Sequence, residues 1–338
     1  MSQLLATVDD VRHAYRLLLG REPDSEGFRH YCDRLERERL DPEAIARCFI
    51  ESPEFGKKHG VLIKLDTGEC PPPGVVMLHC QACTQAQLES PAFRYWATQL
   101  GEMPGMLHRK LWEWCFITQA LYERGMLREG CRGLGFAVGN EPLTGLFAKL
   151  GCSIVASDVG EEIARREGWV DTNQHATGFA QLNQRGLCPP NEFEDRVRFR
   201  EVDMRAIPED LRRFDFLWSS CALEHLGSLQ AGADYVRAAM DCLREGGVAV
   251  HTTELNCDSD VETVEVGGSV IYRRHDLLTL ADMLQKEGHQ VSQFDFDLGT
   301  SDADRHVEDP PYQSSPQLKL RLGPYASTSF GLIVQKKS

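Results

Sequence analysis

The chain has 338 residues, enough for about two domains and for a large core without disulfides. Apolar residues make up 42% and charged residues 26%, which excludes a disordered or fibrous protein. The net charge of −14 argues against a nucleic-acid partner, because a phosphate backbone would be repelled. No apolar run reaches the roughly 18 residues of a membrane span, so none is expected.

The start of the sequence, MSQLLATVDDVRHAY, lacks the basic segment and apolar core of a secretory signal. The 12 cysteines are scattered without regular spacing, so reduced thiols are expected rather than a disulfide framework. Both observations favour a cytoplasmic protein.

Residues 1–60 are predicted to form a small all-α domain. Val8, Val11 and Tyr15 recur at helical spacing, and Gly20 ends that helix. Further helices follow, one of them opened by Pro42 at its first position.

The Pro/Gly-rich segment 61–76 is predicted to be a linker, and residues 77–130 a helical extension that covers a sheet. From residue 131 to 338, short β-rich runs alternate with helical runs. This alternation predicts an α/β fold with a doubly wound, mostly parallel sheet of seven strands. The last two strand candidates, 290–297 and 327–335, are predicted to form an antiparallel hairpin at one edge.

The first turn of this α/β region has the sequence LGFAVGNEPL. Ala137 and Gly139 allow a ligand to approach the backbone closely. Asp158 ends the next strand, where a carboxylate can accept hydrogen bonds from both ribose hydroxyls of a nucleoside cofactor. Asp203 follows a third strand and could accept from an adenine amino group, with Met204 packing on the ring. A purely structural turn and a surface aspartate are the alternatives.

The runs FDFLWSSCALEHL (214–226) and LREGGVAVHTTE (243–254) resemble those of class I S-adenosylmethionine-dependent methyltransferases. The likeness covers about residues 105–335. It implies a Rossmann-like fold and S-adenosylmethionine as the cofactor. The implied cofactor-binding residues are Gly135, Ala137, Gly139, Glu141, Asp158, Asp203, Met204, Ser219 and Ser220.

The glycine fingerprint of that family is altered in this sequence. The usual run is acid-x-Gly-x-Gly-x-Gly, but here Gly135 stands at the acidic position, Ala137 at the first glycine and Glu141 at the third. The acid normally orients the amino group of the cofactor, and we hypothesise that Glu141 takes over this role. A relative that no longer binds the cofactor is an alternative. A dehydrogenase is disfavoured because its own glycine fingerprint is absent.

Two residues are candidates for the chemistry at the methyl acceptor. His225, in the LEH run, is the first candidate for a general base, since its pKa lies near working pH. A histidine that only hydrogen-bonds the cofactor loop or caps a helix is an equal alternative. Glu254, beyond the fifth strand, is expected to border the acceptor pocket. For acceptor binding, the candidates that could hold a carboxylate or phosphate are Arg273, Arg274 and His275.

No metal is expected. The acids of the loop CDSDVE (257–262) and a zinc site made of Cys70, His79, Cys80 and Cys83 are weaker alternatives. The polar insertion 298–326 is expected to help cover the acceptor.

The segments YRLLLGREPDSEGFRHY and SPEF resemble a phycobilisome-linker-like domain of unknown function over about residues 5–57. The likeness implies a helical interaction module of the kind found in bacterial surface-glycan assembly. The sequence therefore predicts a methyltransferase of polysaccharide biosynthesis that acts on a hydroxyl of a small-molecule or glycan acceptor. Residues 1–60 would bind a protein partner or form a homodimer. A natural-product methyltransferase and a non-catalytic scaffold remain alternatives.

Overall fold

The computed structural model describes residues 5–38, 40–50, 52, 54–55, 73–75, 77–166, 175–176, 178–312 and 315–337. The chain divides into two compact units, Met1–Pro71 and Pro72–Ser338. Most of the predicted linker 61–76 lies outside the described residues, so the predicted domain boundaries stay predictions.

The first unit contains the helices α1 (Val8–Leu18), α2 (Ser25–Glu38) and α3 (Pro42–Ile50). Thr7 caps α1 in a capping box with Asp10, which satisfies N–H groups at the start of the helix. The core is aromatic: the Tyr15 and Phe49 rings meet edge to face at 4.7 Å, and Tyr31 stacks on Phe49. The all-α prediction is therefore confirmed for the described part of this unit.

The second unit is built on one ten-stranded sheet with the order β4-β3-β2-β5-β6-β10-β1-β8, in which β7 and β9 also pair with β10. Strands β4, β3, β2, β5 and β6 are parallel, and β10 runs antiparallel to β6. The strands are β1 (Cys80–Ala82), β2 (Arg132–Phe136), β3 (Ser153–Asp158), β4 (Val197–Glu201), β5 (Phe214–Ser220), β6 (Leu243–Asn256), β7 (Gln290–Val291), β8 (Phe294–Asp295), β9 (Lys319–Leu322) and β10 (Tyr325–Gln335).

This topology confirms the predicted doubly wound α/β class, but the sheet has more strands than the seven predicted. The predicted strand 290–297 is divided into β7 and β8, and β9 forms within the insertion 298–326. β1 lies in the segment 77–130 that was predicted to be helical. It forms a strand because its three buried residues bridge β10 and β8. The predicted antiparallel pairing near the C-terminus is confirmed, since β7 pairs with β10.

Helices lie on both faces of this sheet. They are α4 (Gln85–Leu88), α5 (Pro91–Gln99), α6 (Arg109–Glu123), α7 (Leu143–Lys149), α8 (Glu161–Arg166), α9 (Pro190–Arg196), α10 (Leu229–Ala239), α11 (Arg274–Lys286) and α12 (Asp302–Arg305). Helix α6 is buried along most of its length and packs against β5, β6 and β10. It approaches so closely that a Cβ at Gly331 would lie 2.1 Å from the ring of Phe116.

Within the described part of the chain, no helix has the length and hydropathy needed to cross a membrane. The described cysteines are free thiols, as predicted.

Candidate functional site

The strand order of the second unit reverses between β2 and β5. In doubly wound sheets, ligands bind outside the carboxyl ends of the strands at this point. The turn after β2 has left-handed backbone at Ala137 (φ 48°) and Gly139 (φ 51°). This conformation costs alanine about 1 kcal/mol. Strained backbone of this kind is concentrated at ligand-binding sites.

Asp158 lies at the end of β3 and ties this turn in place. Its Oδ2 accepts hydrogen bonds from the N–H groups of Gly139 (3.0 Å) and Ala176 (3.1 Å), and its Oδ1 accepts from Val159 (2.8 Å). Burial raises the pKa of Asp158, although these hydrogen bonds oppose the shift. A carboxylate offers about four acceptor positions, so three bound N–H groups leave one for a ligand. The contact of Asp158 with the ribose hydroxyls stays a prediction.

His175 is an additional residue near this carboxylate that was not predicted. Its Nε2 lies 4.0 Å from Oδ1 of Asp158 and 2.6 Å from the carbonyl oxygen of Val159. No sequence signal pointed to His175, because it lies far along the chain from the ends of the predicted strands.

Glu141 ends the turn, and its Oε1 accepts a hydrogen bond of 2.7 Å from Nε1 of Trp218. Burial raises the pKa of Glu141 to about 8, against the opposing effects of Trp218 and of the positive charge of Lys110. A Cβ at Gly135 would lie 2.4 Å from the Trp218 ring. The indole therefore occupies the space that an acidic side chain at position 135 would need, while its N–H contacts the acid at position 141.

A charge cluster on α6, whose acidic member Glu113 is buried, faces the end of β5. Nζ of Lys110 lies 2.8 Å from Oε2 of Glu113, which also accepts from the hydroxyl of Ser220 (2.9 Å). The hydroxyl of Ser329 donates to the other oxygen of Glu113 (2.6 Å). Burial alone would raise the pKa of Glu113, but Lys110 and Arg109 bring it to about 2. The sequence signal was the charged start, RKLWE, of an otherwise apolar helix.

Ser219 and Ser220 point to opposite faces of β5, and only Ser220 joins this cluster. The hydroxyl of Ser219 lies 2.8 Å from Nδ1 of His251, and both residues are fully buried. Burial lowers the pKa of His251 to about 3, so its ring is neutral. The Ser219 side chain faces away from this cluster, because alternate residues of a strand face opposite sides, and the cofactor contact of Ser219 stays a prediction.

His225 ends a short 3₁₀ helix that follows β5. Its Nδ1 lies 2.8 Å from the carbonyl oxygen of Gly268. Because a carbonyl can only accept, Nδ1 carries the proton and the lone pair is on Nε2. This tautomer suits a general base, and the catalytic role of His225 stays a prediction.

Asp203 is engaged by its neighbour Arg205, whose Nη2 lies 2.8 Å from Oδ2. The hydrogen bond from Arg205 lowers the pKa of Asp203, which is consistent with a surface ion pair. Met204 is buried beside it. The predicted adenine contacts of both residues remain untested predictions.

Glu254 contacts protein groups rather than open crevice. Arg109 forms an ion pair with both of its oxygens, at 2.6 Å from Nη1 to Oε2, and the hydroxyl of Ser327 donates to Oε2 (2.7 Å). Glu254 is only 3% exposed. Arg109 contacts both oxygens of Glu254 and so fixes the carboxylate in place. The catalytic role of Glu254 stays a prediction.

The three predicted acceptor-binding residues lie around the start of α11, and Arg273 is committed to protein contacts. Its guanidinium contacts Asp276, the carbonyl oxygen of Val261 and Glu265. Its pKa is raised mainly by the hydrogen bond to Asp276. It is 8% exposed, so the prediction that it binds an acceptor is wrong.

The other two residues have protein partners as well. Arg274 stacks over the ring of Phe296, and the ring nitrogens of His275 lie near Asp260 (3.5 Å) and Asp276 (3.2 Å). Their role in acceptor binding stays a prediction.

The insertion 298–326 is folded against the sheet, because β9 pairs with β10 and Gln317 bridges to His108. The hydroxyl of Tyr312 donates to the carbonyl oxygen of Arg321 (2.7 Å). Whether the insertion covers an acceptor stays a prediction.

The acids of the loop 257–262 do not form a metal-binding group among the residues that the structure describes. In the loop 257–262, Asp258 accepts from the N–H of Ala326 (2.7 Å), whereas Asp260 lies near His275. Cys70 of the zinc alternative lies outside the described residues. Among the residues that the structure describes, one other group has metal-binding geometry: Cys221, Glu224 and Glu254.

Residues 5–59 match a family described as a domain of unknown function, DUF4214. The matched range agrees with the likeness predicted over 5–57. This description assigns no function, so the phycobilisome-linker likeness stays a prediction. No curated protein matches the sequence at a significant level.

Several solved structures are similar to the second unit. The (4+2)-cyclase SpnF is 20% identical over 52% of this chain and 57% of its own, with a TM-score of 0.35. A SAM-dependent methyltransferase from Aquifex aeolicus is 13% identical over 74% and 96%, with a TM-score of 0.37. The glycopeptide N-methyltransferase MtfA complexed with sinefungin is 12% identical over 68% and 87%, with a TM-score of 0.41. The chain spans little more than half of the cyclase. At these sequence identities and TM-scores, the matches do not establish an activity for this chain.

Proposed function

We propose that the second unit is an S-adenosylmethionine-dependent methyltransferase. The observation that carries the proposal is the turn at the switch point, where left-handed backbone at Ala137 and Gly139 precedes the partly buried carboxyl of Glu141. The arrangement suits a ligand with an ammonium group near the turn and a hydroxyl near Asp158. S-adenosylmethionine carries both, and the space taken by Trp218 beside Gly135 explains why the acid stands at 141.

When bound, the cofactor supplies an electrophilic methyl group with a neutral thioether as leaving group. The protein then has three tasks. Glu141 binds the ammonium group, Asp158 accepts from one ribose hydroxyl through its remaining position, and the crevice orients the acceptor. Orientation is the main catalytic contribution expected of the protein for a displacement of this kind.

The acceptor is proposed to be a hydroxyl of a small molecule, with a glycan or glycolipid precursor as the finer candidate. His225 would remove the hydroxyl proton through Nε2, because its other nitrogen is held by the carbonyl of Gly268. The glycan proposal is supported only by the likeness of residues 1–60. That unit is proposed to recruit a protein partner or a second copy.

The cofactor proposal is tested by calorimetric titration with S-adenosylhomocysteine, the product form of the cofactor. We expect stoichiometric binding by the wild type and weaker binding by Glu141→Ala. His225→Ala is the matched variant for the chemical step, since it should bind the ligand with unchanged affinity. The absence of both heat and a thermal shift in the wild type would favour the non-catalytic scaffold.

Once an acceptor is found, His225→Ala should lower kcat while leaving cofactor affinity unchanged. A screen of hydroxyl, amine and carboxylate acceptors with methyl-labelled cofactor would identify the acceptor class. Labelling of amines alone would refute the hydroxyl proposal without affecting the cofactor site.

A further inference from the structure

A thiol and two carboxylates meet near the end of β5. Cys221 directly follows β5, Glu224 lies in the 3₁₀ helix after it, and Glu254 lies in β6. One ligand atom from each side chain lies within 4.8 Å of the other two. Cys221 and Glu224 follow the end of β5, and Glu254 lies in β6, which pairs with β5 in parallel, so the sheet brings the three residues together.

Glu224 carries an oxygen that the protein leaves unused. The residue is 1% exposed, and its Oε2 accepts a weak hydrogen bond from the hydroxyl of Thr253 (3.2 Å). Its Oε1 is buried and has no hydrogen-bond partner among the residues that the structure describes. A buried carboxylate oxygen without a donor is costly, which points to a missing cationic or hydrogen-bonding ligand.

The charges around the cluster also indicate that a cationic ligand is missing. Glu113 is neutralised by Lys110, and Glu254 by Arg109. Glu224 forms no such ion pair with the residues that the structure describes. A divalent cation at this position would supply the positive charge that the protein does not.

We propose that Cys221, Glu224 and Glu254 bind one divalent metal ion, with Zn²⁺ as the best match to the donor set. One sulfur and two carboxylate oxygens are ligands that Zn²⁺ uses, and three protein ligands leave a fourth position for water or substrate. Glu254 can remain paired with Arg109, because a carboxylate has about four acceptor positions. This site replaces the expectation that the protein uses no metal.

Binding of the metal ion requires no oxidant or reductant. The Cys221 thiol loses its proton to solvent as the sulfur–metal bond forms, and any proton on Glu224 is released in the same way. This role of the ion rests on the proposed methyltransferase function. The acceptor hydroxyl would bind at the open coordination position. The ion would then lower the pKa of that hydroxyl, as it does for bound water.

The test is cobalt binding to the full-length reduced protein after removal of metals. Co²⁺ bound by a thiolate shows a sulfur-to-metal charge-transfer absorption, which reports the ligand directly. We expect one Co²⁺ per chain with this absorption and its displacement by one equivalent of Zn²⁺. Cys221→Ser should abolish the absorption, and Glu224→Gln should weaken affinity at least about tenfold, the loss that even an outer partner of a ligand can cause.

Two control variants keep similar groups nearby but outside the cluster. Cys257→Ser removes another half-buried thiol, and Asp260→Asn removes a nearby loop acid; both should bind Co²⁺ as the wild type does. The metal proposal is overturned if the wild type shows no charge-transfer absorption or if Cys221→Ser retains it. Far-ultraviolet circular dichroism checks that each variant is folded.

The same samples are titrated with S-adenosylhomocysteine, which separates the two proposals. Binding of the nucleoside without the metal would overturn only the metal site. Binding of the metal without the nucleoside would overturn only the proposed methyltransferase.

Discussion

The Glu141 carboxyl should make cofactor affinity depend on pH. Its pKa of about 8 in the free protein means that about 10% of the molecules carry the carboxylate at pH 7 and about 50% at pH 8, by the ordinary titration relation. If only the ionised form binds the ammonium group, apparent affinity scales with this fraction. Affinity for S-adenosylhomocysteine should therefore rise about fivefold between pH 7 and pH 8.

Glu141→Gln is the matched variant for this prediction. The amide oxygen of glutamine can still accept from Nε1 of Trp218, so the turn should be retained. The amino group of the ligand titrates equally with both proteins. The ratio of wild-type to variant affinity therefore isolates Glu141, and it should increase about fivefold over this interval.

Isothermal titration in buffers with different ionisation enthalpies provides a second measurement. Wild-type binding at pH 7 should release about 0.9 proton, and the variant about none. Equal pH dependence in the two proteins, or no proton release by the wild type, would refute the role assigned to Glu141.

The raised pKa of Glu141 also makes folding stability depend on pH. The dependence has the opposite sign from that of a carboxylate paired with a cation. The folded pKa of Glu141 exceeds its unfolded value, so the folded state holds the proton more tightly between about pH 4.3 and pH 8. The contribution of this group to stability is complete below that range and is lost as pH rises through it. Glu141→Gln should remove this part of the pH dependence, as measured by urea denaturation.

Three further substitutions test the packing around the site by urea denaturation. Arg109→Met leaves Glu254 buried without its cation and should lower the free energy of unfolding by about 3–5 kcal/mol; a loss below about 1 kcal/mol would contradict a buried ion pair. Gly331→Ala places a Cβ against the Phe116 ring and should cost about 1–3 kcal/mol, part of which Phe116→Leu should restore. Asp158→Ala leaves three N–H groups without their acceptor and should cost at least about 1–3 kcal/mol; full stability would show that these groups find other acceptors.

The sequence predicted the fold class and where the turn and the acid after β3 lie along the chain. The turn around Gly139 and the acid Asp158 follow from a strand, a run of small residues and a helix, which are signals contained in a few neighbouring positions. The mostly parallel sheet followed from the alternation of strands and helices, because parallel strands require crossovers. Strand β1 was missed because its three buried residues show no alternation, and only pairing with β10 and β8 defines it.

What the sequence did not reveal depends on contacts between distant segments. Ser219 and Ser220 are the same residue type, but in β5 the side chain of Ser219 faces His251 and that of Ser220 faces Glu113. Arg273 was a plausible anion-binding residue until its contacts with the Val261 carbonyl and neighbouring acids were seen. The exchange of roles between positions 135 and 141 became clear only from the place of the Trp218 ring.

The glutamates around the end of β5 divide into two kinds according to the nearest positive charge. Glu113 and Glu254 each lie against a cation of α6, so their charges are compensated within the protein. Glu141 and Glu224 have no cation in direct contact within the described part of the chain, and burial raises the pKa of both. Desolvation makes an uncompensated buried carboxylate unfavourable unless a ligand brings positive charge. The ammonium group of the cofactor meets this requirement at Glu141, and a divalent ion meets it at Glu224, so the two proposals follow from one electrostatic argument applied at two positions.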